Sequence, residues 1–269
     1  MNSVLAELLV LRKRVSTWIL LGIWAVLTAF FAYVLPYVEA AEVPTQLLPE
    51  GLAGNVIAGF PFFGGVFALI LGVLGVGSEY GWNTFKTLFT QGPGRLRMFA
   101  AKLLALALAL APFVLVAFLV GAVGSYAIAQ AEAATVSWPS TWLLARSLGG
   151  GWLILAVWGA LGVLLAVLSR GTALAIGLGI LYALVIEGLA SALVDAVSWL
   201  ESLSDLLLRT NAYSFAAALG LSPEAAADGG PGSFFGPFVD GGRAAIVLAA
   251  YIALFLLVSA VLLRRRDVD

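Results

Sequence analysis

Residues 98–129 read MFAAKLLALALALAPFVLVAFLVGAVGSYAIA, and across that length only Lys102 carries a charge. About 20 predominantly apolar residues are enough to cross the hydrocarbon core of a bilayer. This stretch is therefore read as a transmembrane helix longer than it needs to be, bent at Pro112. The run is too long and too continuous for the alternating pattern of an outer-membrane barrel strand.

Working outward, the same kind of run recurs. Residues 17–38, 56–77, 98–129, 143–168, 172–194 and 243–263 read as six spans of one transmembrane domain covering 1–269. Trp18 marks one interface of the first span, and Tyr33 and Tyr37 the other. The first run is long and lacks a small-residue cleavage site, so it reads as a retained helix and not a signal peptide. Residues 1–16 form an amphipathic piece, with Val4, Leu5, Leu8, Leu11 and Val15 near helical spacing and Arg12, Lys13 and Arg14 at its end. Such a segment lies in the headgroup plane. The fold class is thus all-α and polytopic. The composition agrees: 62% of residues are hydrophobic and 11% charged, against roughly 25% charged in a soluble domain.

The 14 lysines and arginines set the orientation. Only Arg146, Arg209 and Arg243 fall on one side of the six-span arrangement; the rest fall on the other. Of the 15 acids, only Glu7, Glu79, Asp267 and Asp269 share the basic side. Both termini are therefore expected in the cytosol of a prokaryotic inner membrane.

The chain has no histidine and no cysteine. That excludes a thiolate nucleophile, a disulfide, a His-ligated haem and the common zinc motifs. Lys13, Lys86 and Lys102 do not follow a glycine, so there is no phosphate loop. No catalytic residue, metal ligand or cofactor is expected in this chain, and nucleic acid is not among the expected partners. An ion-coupled transporter needs paired ionisable groups or broken helices at the midplane. Glu187 alone, without a basic partner in the spans, fits that class poorly. An intramembrane enzyme fits worse. A non-transporting scaffold conflicts with no feature.

Residues 78–97, SEYGWNTFKTLFTQGPGRLR, join two spans on the basic side. Trp82, Phe85, Leu88 and Phe89 form an apolar stripe that ends at Gly92-Pro93-Gly94. This is a short cytosolic amphipathic helix, resting either on lipid or on a soluble partner.

The amphipathic start Glu7-Leu8-Leu9 with Arg12-Lys13-Arg14, the Gly77-Ser78-Glu79-Tyr80-Gly81 and Thr84 block, Lys86-Thr87-Leu88, and the Gly92-Pro93-Gly94-Arg95-Leu96-Arg97 stretch leading to Lys102 carry a resemblance. They are similar to permease subunits of ABC transporters of the type-2 class, the group of bacitracin-type and sodium-type efflux permeases and ABCG-like exporters. The resemblance implies a permease homodimer, two copies of a separate ATP-binding subunit that holds ATP and Mg, and a pathway for an apolar or amphiphilic cargo. It makes 1–16 a connecting helix and Tyr80–Phe89 a coupling helix. Glu79, Tyr80, Gly81, Trp82, Thr84, Phe85, Phe89 and Arg95 then belong to the ATPase-coupling surface. Glu79 has a second reading as a helix-boundary carboxylate paired with Arg95 or Arg97. By the same resemblance, 195–242 forms short re-entrant extracellular helices; the plain alternative is a surface loop.

Two further sets stand out. Phe62, Phe63 and Phe67, beside Gly64 and Gly65, either line an apolar pathway or face lipid and core. Gly171, Ala175, Gly179 and Ala183 lead to Glu187 in steps of four, which drift about 40° each. Gly179, Ala183 and Glu187 share a face, and Gly171 falls off it. That face is a dimer seam or pathway wall, or simply tight packing within the chain. Glu187 is either a gate residue or a carboxylate reaching water at the outer interface.

Overall fold

The computed structural model describes residues 2–81, 94–193, 204–223, 226 and 238–265. The described residues are helical and loop, with no strand among them. Among the described residues, six helices are long and apolar enough to cross a membrane: Val15–Glu39, Pro49–Tyr80, Leu96–Ala131, Thr141–Ser169, Ala173–Ala190 and Gly241–Arg265. They are called spans one to six. Each overlaps its expected run, span two starting earliest relative to expectation, at Pro49 and not at 56, and the chain is a multi-pass membrane protein.

The burial pattern separates an inner pair from an outer ring. The apolar windows of spans two and four are each 67% buried, against 17% for spans one and six and 22% for span five. Glycine is the reason. A Cβ on Gly72 of span two would strike the carbonyl oxygen of Gly159, and one on Gly162 of span four the carbonyl oxygen of Leu69. The two backbones touch where side chains are absent, which is how helices associate tightly in a solvent as apolar as leucine. Trp158 lies over Gly65, its Nε1 2.7 Å from where a Cβ would stand. Spans three, five and six pack around this pair, and span one packs on span three.

The ends follow local chemistry. Ser140 caps span four by accepting from the Leu143 amide at 3.2 Å. Arg170 turns the chain from span four to span five in the left-handed conformation, φ 55°, which costs a non-glycine residue about 1–2 kcal/mol. The helix Asn2–Lys13 ends at Arg14, whose extended backbone, φ −74° and ψ 122°, separates it from span one. Span three runs unbroken through Pro112.

Three spans carry a π-helical turn: Phe30–Val34 in span one, Phe60–Gly64 in span two and Leu181–Ile186 in span five. Each widens the helix locally and frequently marks a functional position. In span five it also corrects the four-residue drift. A π turn holds one more residue than an α turn, so Glu187 returns to the face of Ala183 and Gly179.

Candidate functional site

Two buried carboxylates stand at opposite ends of the bundle, and a crevice opens beside one of them. At the basic end, Glu79 is 8% exposed and Lys102 7%. Lys102 Nζ pairs with Glu79 Oε1 and lies 2.8 Å from Glu7 Oε2. Arg14 donates from Nη1 to the Leu74 carbonyl and from Nη2 to Ser78 Oγ at 2.7 Å. The break at Arg14 is what lets this side chain reach span two. Four charged side chains thus join the N-terminal helix, the end of span two and the start of span three. A buried pair of this kind is favourable only when its geometry and remaining hydrogen bonds are satisfied.

Glu79 pairs with Lys102, five residues beyond Arg97 in span three. Tyr80 is half-buried against the core, and Glu79, Tyr80 and Gly81 continue the helix of span two and do not open a separate segment. Arg95 is the first residue of the helix that becomes span three. Trp82, Thr84, Phe85 and Phe89, the rest of the coupling surface, lie outside the described residues.

At the acid-rich end, Glu187 is fully buried. Its Oε1 accepts from Tyr182 Oη at 2.5 Å and from the Leu208 amide at 2.8 Å, and its Oε2 from the Arg209 amide at 2.9 Å. Leu208 and Arg209 are the first two residues of the helix Leu208–Ala218, here called the cap helix. Its first amides have no partner within the helix. The carboxylate supplies one, aided by the positive end of the helix dipole. Glu187 therefore does not reach water; it pins the cap helix to span five. Nor is the cap helix a surface loop: Thr210, Asn211, Ala212 and Ala216 are fully buried. Residues 195–203, the start of the stretch expected to form short extracellular helices, lie outside the described residues.

Arg209 completes this end. Its guanidinium carbon sits 5.5 Å from the Phe62 ring centre and 5.7 Å from that of Tyr213, close enough for cation–π attraction. Burial pushes the Tyr213 hydroxyl up to about 12, against the opposing charge of Arg209. Tyr251 donates to the Leu206 carbonyl at 2.7 Å and Arg243 pairs with Asp205 at 3.0 Å, so span six also holds the approach to the cap helix.

The small-residue face resolves in favour of packing within the chain. Ala175 and Ala183 are buried, and a Cβ on Gly179 would stand 2.6 Å from Leu69 Cδ2 of span two. Gly171 lies in the turn beside Gly77. This face is covered and is not a free seam for a second copy.

A crevice of about 420 Å³ runs between spans one and two toward the acid-rich end, roofed by Tyr213 and Ala226. Phe62 and Phe63 line it. Phe67 does not: it packs in the core against Trp24, ring centres 6.0 Å apart.

The sequence reading missed Lys102 as the hub, Arg209 as a cap residue, and Tyr182 as the donor to Glu187. Lys102 was findable as the one charge inside an apolar run. Arg209 depends on the cap helix folding back into the bundle, which no local pattern reveals, and Tyr182 meets Glu187 five residues on, across the π turn of span five, a spacing that α-helical periodicity does not pair.

No curated protein matches the chain. A family model described as a protein of unknown function, DUF2705, matches residues 16–268 and so takes in all six spans. The chain belongs to that family.

Proposed function

We propose that the chain is the membrane-spanning permease subunit of an ATP-driven ABC exporter for an apolar or amphiphilic substrate. Separate subunits bind and hydrolyse ATP, two permease copies form the pathway, and the basic end with both termini faces the cytosol. The observation that carries this reading is the charged cluster of Glu7, Arg14, Glu79 and Lys102. It clamps the N-terminal helix onto the two helix ends that bracket residues 82–93. A push on that segment from a soluble partner is passed to spans two and three through paired charges and not through flexible loops. Trp82, Phe85 and Phe89 give the segment an apolar stripe for such a partner.

Purification of the tagged chain from its native membrane tests this. A phosphate-loop ATPase is expected to accompany it in stoichiometric amount, and Phe85→Asp to lose that subunit while the chain still inserts. A chain that purifies without any ATPase, or a Phe85→Asp variant that retains an active one, counts against the reading.

A further inference from the structure

We propose that the crevice between spans one and two binds a slender, positively charged amphiphile, with its cationic head at Glu39 and its body along Phe31, Phe62 and Phe63. This names a substrate class for the export reading, but the binding itself does not depend on an ATPase.

Shape is the first argument. The lining follows one face of span one from Trp24 to Ala40, a rise of about 24 Å at 1.5 Å per residue. A volume of about 420 Å³ spread along that length makes a long, narrow groove suited to a slender ligand. The volume itself is in the range of ligand pockets.

Wall chemistry is the second argument. Phe31 and Phe63 stack with centres 5.1 Å apart, and Phe62 meets Phe63 edge-on at 5.0 Å. Aromatic faces attract cations. Among the described lining residues Glu39 is the one with a charge, and it is exposed at the mouth. The nearby loop adds Glu42 and Glu50. Arg209 lies buried against Phe62 behind this wall, outside the lining.

A third observation lies deeper. Thr28 lines the crevice and is 6% exposed, and its Oγ1 has no hydrogen-bond partner in the structure. A buried hydroxyl without a partner carries a desolvation penalty. Thr28 stands eleven residues from Glu39 along span one, about 16 Å. A polar atom near the far end of the ligand satisfies it.

The test uses the purified chain in zwitterionic nanodiscs with two photoreactive probes of equal length, a diazirine dodecylamine and the matching dodecanoate. The amine is expected to label Phe31, Phe62 or Phe63 at least about fivefold more than the acid. Glu39→Gln, an exposed change that leaves folding alone, reduces amine labelling about fivefold, the scale of one solvated charge pair. Added salt narrows the difference. An ω-hydroxy alkylamine competes better than a plain alkylamine in the wild type and loses that advantage in Thr28→Val. Equal labelling by amine and acid, unchanged in Glu39→Gln, means that the crevice holds an acyl chain of the bilayer and overturns the proposal. Failure to recover an ATPase overturns the export reading and leaves this result standing.

Discussion

Glu79 and Glu187 are both buried carboxylates at the ends of membrane helices, yet the chain neutralises them in opposite ways. Glu79 meets a cation, Lys102, which is shared with Glu7. Glu187 meets neutral donors: one phenol and two backbone amides at a helix start. The first arrangement joins three segments that are far apart in sequence through side chains alone, so it can shift as those segments move. The second fixes one helix terminus to one span through short, directed bonds. On the proposed function the basic end passes on a displacement, while the acid-rich end fixes the cap helix, whose Tyr213 lines the crevice.

The comparison breaks most readily at Lys102. Lys102→Met leaves Glu79 buried without its cation, and removing one partner of a buried pair costs about 3–5 kcal/mol. The variant is expected to aggregate on mild heating in detergent, as followed by fluorescence-detected size exclusion. The double variant Glu79→Met, Lys102→Met is expected to recover most of that loss, because well-packed apolar side chains replace a buried pair at little cost. No recovery would show that the two charges do not act as a pair.

Glu187→Leu should follow. It strands two amides and one hydroxyl, each worth about 1–3 kcal/mol when buried and unsatisfied. The damage is expected to stay local: protease cleavage within 204–223 rises while the six spans remain inserted. Glu187→Gln keeps one acceptor and falls between Leu and wild type. Uniform unfolding in Glu187→Leu would make the carboxylate a core residue of the whole bundle.

Gly179→Leu sharpens the comparison between chain and assembly. Its new side chain meets Leu69 inside the same chain, and overpacking of this kind costs about 1–3 kcal/mol. Lower thermal stability with an unchanged dimer fraction is expected in nanodiscs. A lost dimer at full stability would restore span five as the seam between copies.

The smallest effect is on stability and the clearest on orientation. Cysteines at Gly94 and Glu42, both exposed, should leave the fold unchanged. Gly94→Cys should react only with membrane-permeant reagents in intact cells, and Glu42→Cys with impermeant ones. The reverse pattern would exchange the two ends.

Much of this architecture was legible from single residues and runs. Six apolar stretches gave six spans, because a bilayer sets helix length almost regardless of neighbours. Phe62 and Phe63 line the crevice, whereas Phe67 turns to the core against Trp24. The carboxylates were visible as charges in apolar surroundings, but their partners were not. Glu79 meets Lys102, and Glu187 meets Leu208 and Arg209, 21 and 22 residues further along the chain. Such pairings are set by how helices stack, and small-residue faces do not say which neighbour they meet. Gly179 shows this: the same spacing suits a second copy or span two, and Leu69 decides.

The central claim is that the basic end transmits what an ATPase does. The measurement is amine-stimulated ATP hydrolysis by the purified complex carrying Glu79→Met, Lys102→Met. The account predicts a folded, assembled complex with basal hydrolysis retained and stimulation lost. Stimulation equal to wild type would contradict it.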